Sequence, residues 1–84
     1  MPFPARTRAL TGRAVRWDGT NAADVAGLAG DAWEGTYASS ALIRGRDGEI
    51  IHVRPGWVVS RWDGTEGVNV STAGAWETWA EEVT

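Results

Sequence analysis

Apolar and polar residues alternate with a period of two near the end of the chain's first apolar segment and take up a helical period in one short stretch after it. Val15 and Trp17 fall on one side of a strand, with Ala14 and Arg16 on the other. Asp18-Gly19 ends that strand, and Gly12 inside it reads as a bulge. From Asn21 the spacing changes: Ala22, Val25, Leu28 and Ala29 recur on one face of a short helix. Asn21 is placed as its N-cap, Asp24 three residues on completes a capping box, and Gly30 stops it. Gly27 weakens the helix interior by ~1 kcal/mol relative to Ala, so packing rather than propensity must hold it.

After the helix the pattern is β. Residues 32–37 read as a loop or a short strand. Ser40–Arg44 and Glu49–Arg54 flank Arg46-Asp47-Gly48, and an Asp-Gly pair between two apolar runs is a hairpin signal. Pro55-Gly56 turns the chain into Trp57–Trp62, and Asp63-Gly64 turns it again into Gly67–Thr72. Strands joined by tight turns predict an antiparallel meander. The tail, Gly74–Val83, reads as a helical turn followed by a short strand beside the first one. The expected architecture is α+β: about four to six antiparallel strands, one short helix in the N-terminal third, and terminal strands adjacent. Its 84 residues make one domain, with 1–5 as a flexible arm and 6–84 as the folded unit.

Composition excludes several chemistries. There is no cysteine, hence no disulfide or thiolate, and no lysine, since all eight basic residues are Arg. The single His52 leaves no histidine pair for a metal, and no cofactor is expected. On alternation His52 shares a strand face with Ile50 and Arg54, which reads as a partly buried or rim histidine rather than a catalytic one. No serine lies in a nucleophile elbow, and no Gly-rich loop leads into a helix to cradle phosphate. An enzyme is not expected. No apolar run approaches the ~20 residues of a membrane span, and the start carries no export signal, so the expected location is the cytoplasm.

Charge is segregated. Arg6, Arg8, Arg13 and Arg16 precede any acid, and Asp63, Glu66, Glu77, Glu81 and Glu82 follow the last base. With a net charge of −3, pairing between neighbouring terminal strands explains this better than nucleic-acid contact. One pentapeptide, Arg-Trp-Asp-Gly-Thr, occurs at 16–20 and again at 61–65, read as reuse of a strand-ending turn rather than as duplication.

Six tryptophans stand out in so short a chain. Each carries on the order of 200 Å² of mostly apolar surface, and Trp is seldom completely buried. Three or four are expected in the core, and one or two on a surface that meets another molecule. The Pro55-Gly56 turn is the chosen place, with Trp57 and Arg61 on one strand face and Arg54 and His52 entering from the strand before.

Laid out in this order, the chain resembles small phage-encoded proteins of the PGDYG type, named for a Pro-Gly-Asp-Tyr/Trp motif. Ala14–Asn21 looks like that family's opening strand and cap, Asp47-Gly48-Glu49 like its hairpin, Val53–Val59 like its signature, and Ala75–Trp79 like its closing segment. The motif's Asp is missing between Gly56 and Trp57, so no role of that carboxylate transfers. The resemblance implies a phage accessory protein in the host cytoplasm and supplies no activity. The expected function is a protein-interaction module for a host or phage protein, with a homodimer as a further expectation. The alternatives are a protein that sequesters a nucleotide-type ligand and a minor virion component.

Overall fold

The computed structural model describes residues 1–83. In chain order the elements are β1 (Phe3–Arg6), β2 (Thr11–Arg16), α1 (Ala22–Ala29), a 3-10 turn (Gly30–Ala32), β3 (Trp33–Tyr37), β4 (Ser40–Arg44), β5 (Ile50–Val53), β6 (Val58–Trp62), β7 (Asn69–Ser71), α2 (Ala73–Trp79) and β8 (Glu81–Glu82). The strands form two antiparallel sheets, one ordered β7-β6-β2-β1-β8 and the other β3-β4-β5.

The α+β class and the antiparallel pairing match expectation, but eight strands in two sheets and a second helix exceed the expected four to six strands and single helix. The single meander is corrected at Pro55-Gly56. β4 and β5 pair as the Asp-Gly hairpin predicts, but the next turn carries the chain into the other sheet, where β6 pairs with β2 and β7. The cause is the apolar run Val58-Val59: a strand apolar on successive residues needs cover on both faces. Val58 and Val59 are both fully buried, facing opposite cores.

Those cores lie on the two faces of the five-stranded sheet. The first joins Val15, Trp17 and Val59 to Val25, Leu28 and Ala29 of α1 and to Ala41, Ile43 and Val53 of the three-stranded sheet. The second gathers Ala5, Ala14, Val58, Trp62 and Trp76, with Phe3 and Leu10 against it. The result is three layers, with the large sheet in the middle and α2 on its far side.

The expected arm at residues 1–5 is also corrected, because Phe3–Arg6 is a strand. Phe3 and Ala5 alternate onto the second core, Phe3 meeting Trp76 edge-on at 6.2 Å. Pro4, which has no N–H, still offers its carbonyl, which accepts from Val83 N–H at 2.9 Å. The chain ends therefore lie side by side, and Arg6 pairs with Glu81 across β1 and β8 at 2.6 Å.

α1 spans the residues its periodicity predicts, but the capping box does not form. Asn21 serves the preceding turn instead. Its Oδ1 accepts from Asp18 N–H at 3.0 Å and its Nδ2 donates to the Arg16 carbonyl at 2.8 Å. Asp24 meets the N-terminal amine. In the same turn the Thr20 hydroxyl and then the Thr20 N–H hold the Asp18 carboxyl below its ordinary pKa, helped by Asn21 N–H. The pentapeptide at 61–65 closes differently: the Thr65 hydroxyl donates to the Trp62 carbonyl, and Asp63 accepts from the Thr11 hydroxyl. The two copies also put Trp17 and Trp62 in opposite cores.

Candidate functional site

The four residues expected to form one patch divide into two pairs. Trp57 is half-buried against the first core. Arg61 reaches from β6 to the end of α1, its Nε donating to the Leu28 carbonyl at 3.0 Å and its Nη2 to the Ala29 carbonyl at 2.7 Å. A helix C-terminus carries unsatisfied carbonyls and partial negative charge, and α1 has no basic residue in its last turn. Arg61 supplies that charge from a neighbouring strand, which also draws it away from Arg13, its direct partner in the sheet register. Arg61→Ala is therefore expected to cost about 2 kcal/mol of stability in urea unfolding, from two charge-assisted bonds at a partly exposed site. An unchanged midpoint would contradict this role.

His52 and Arg54 point the other way. Across the β4–β5 ladder, Leu42 stands opposite His52 and Arg44 opposite Ile50, so these side chains share the face turned away from the first core. Arg54 follows β5 and is exposed, as is His52. Ile50 is 46% exposed and Leu42 is half-buried. Tyr37, 69% exposed, sets its ring nearly perpendicular to His52 with centroids 6.4 Å apart. The outer face of the three-stranded sheet thus carries an aromatic pair, the exposed Ile50 and the half-buried Leu42.

Local structure holds this face in place. β3 and β4 turn through Ala38 and Ser39, with Tyr37 paired to Ser40 and Ala38 at φ 53°, a left-handed conformation unusual for alanine. The Ser39 carbonyl accepts from Trp17 Nε1 at 2.9 Å, tying the turn beside Tyr37 to a fully buried indole. At the opposite end of the face, Arg44 is paired with Glu34 at 2.6 Å. Arg54 has no ion-pair partner among the described residues, so it remains the free cation on this side.

Tyr37 and Leu42 were not among the expected site residues. Alternation along Ser40–Arg44 already sets Leu42 opposite to Ala41 and Ile43; Tyr37 lies in the segment whose pattern was ambiguous.

A second aromatic assembly occupies the far side of the large sheet. Trp62 and Trp76 stack at 6.0 Å with their planes 22° apart, and Trp79 meets both at 5.6 and 5.5 Å. Trp17, Trp62 and Trp76 are buried, Trp33 and Trp57 are half-buried, and Trp79 is 37% exposed. Trp79 opens into a groove of about 960 Å³ between the β1–β2 turn and α2.

Among the described residues no three His, Asp or Glu side chains gather as a metal-ligand set, and no helix is long and apolar enough to cross a membrane. No family model matches this chain, and neither a curated protein nor a solved structure matches it.

Proposed function

We propose that this protein is a non-enzymatic interaction module, a phage accessory protein that binds another protein on the outer face of its three-stranded sheet. The observation that carries the reading is the exposed Tyr37–His52 pair with Ile50 beside it, on a sheet whose other face is fully occupied by the first core. Contiguous exposed apolar surface with a polar rim marks interaction sites, and aromatic residues with Arg are enriched at their energetic centres. The chemistry that fits is a protein surface apolar at its centre and acidic at its edge, where Arg54 has no ion-pair partner among the described residues. The nucleotide alternative rests on Trp57 beside Arg61, and these two are engaged with the core and with α1.

Purification of the tagged protein from its native host is expected to recover one stoichiometric partner. Tyr37→Asp and Ile50→Asp, both at exposed positions, should each reduce that recovery by about tenfold or more while leaving the thermal midpoint nearly unchanged. Equal recovery by all three proteins, or no partner at all, overturns the proposal.

A further inference from the structure

The groove beside Trp79 lies on α2 and the β1–β2 turn, away from the proposed partner face, and it has its own chemistry. Its apolar floor is Leu10, Trp79 and Ala80. Two of its four charged side chains, Arg6 and Glu81, neutralise one another. The other two, Arg8 and Glu77, are exposed, line the same groove, and belong to no ion pair among the described residues. The surface therefore presents one free base and one free acid around an indole whose inner contacts are held by Trp62 and Trp76.

Such a surface is complementary to itself. In a two-fold dimer the same patch is used twice, so a residue that meets its opposite on the partner does so in two symmetric copies. We propose that a second copy of this chain occupies the groove, with Trp79 and Leu10 of both copies at the centre. Arg8 of each copy then faces the partner's Glu77. Both free charges are matched by one operation, and the exposed indoles leave water together. A partner of another sequence would have to supply an acid and a base at matching positions; the second copy carries both by construction.

The test is a charge swap read by light scattering and native mass spectrometry over a dilution series. Wild type is expected to dimerise on concentration. Arg8→Glu and Glu77→Arg each place like charges opposite one another twice, and each is expected to raise the dissociation constant by about tenfold or more. The double variant Arg8→Glu/Glu77→Arg restores opposite charges and should return to within about threefold of wild type. Both positions are exposed, so folding does not confound the comparison as it would for Trp79→Ala. A chain that stays monomeric at every concentration overturns the proposal, and so does a dimer indifferent to the single reversals or a double variant weaker than both.

Discussion

Replacing Trp76 with Ala is expected to remove about 3–5 kcal/mol of stability, the cost of deleting a buried aromatic without collapse of the cavity left behind. For 84 residues the total stability is about 4–13 kcal/mol, so this one change takes much of it. The effect is large because Trp76 joins elements far apart in the chain: it stacks on Trp62 of β6, meets Phe3 of β1 edge-on, and carries Trp79 at the helix end. In urea unfolding, Trp79→Ala should cost much less, since that ring is already 37% exposed. Equal losses for the two variants would mean that α2 is not anchored as described.

Gly12→Ala should be nearly as damaging for the opposite reason. A Cβ at Gly12 would lie 2.3 Å from the Arg61 carbonyl oxygen, 2.8 Å from Trp62 Cα and 2.9 Å from Trp62 Cε3. Two of these atoms are backbone, so relief requires β2 and β6 to separate, and overpacking of this kind costs about 1–3 kcal/mol or more. The glycine is not the bulge its sequence position proposes: the register runs unbroken through Gly12↔Trp62 and Ala5↔Gly12. Its missing side chain is what lets the Trp62 ring lie over β2 and stack on Trp76. Gly12→Ala is therefore expected to lower the unfolding midpoint and to weaken the exciton-coupled circular dichroism of the Trp62–Trp76 stack together. A stable variant with that signal intact would refute the packing.

These residues also show how far the chain could be read in advance. α1 and the Asp47-Gly48 hairpin were legible because each is set by neighbours in sequence, through helical spacing and turn chemistry. The sheet switch at Pro55-Gly56 was not, because a tight turn says where the chain bends and not which sheet receives it. That choice is made by β2 and β7 closing on both edges of β6. β1 was obscured by Pro2 and Pro4, whose turn-forming habit masks the alternation of Phe3 and Ala5 toward Trp76.

The candidate site divides in the same way. Alternation set His52 and Arg54 on one face, where the structure has them exposed. Arg61 and Trp57 look the same by type as residues of a binding surface, but Arg61 answers the carbonyls of a helix more than thirty residues away, a contact no local pattern encodes. Nor does composition tell which indole stays outside. Trp76 and Trp79 are three residues apart on α2, and only the second sits at the helix end, where one side of the ring is left uncovered.

The proposed contact between the outer face of the three-stranded sheet and another protein can be probed at its centre. Its most direct test is a photo-crosslinking amino acid placed at position 37 in the protein produced in its native host, with position 23, exposed on α1, as the comparison. One dominant adduct with a different protein is expected from position 37 and none from position 23. No adduct at 37, an adduct only with a second copy of the chain, or the same products from both positions would contradict it.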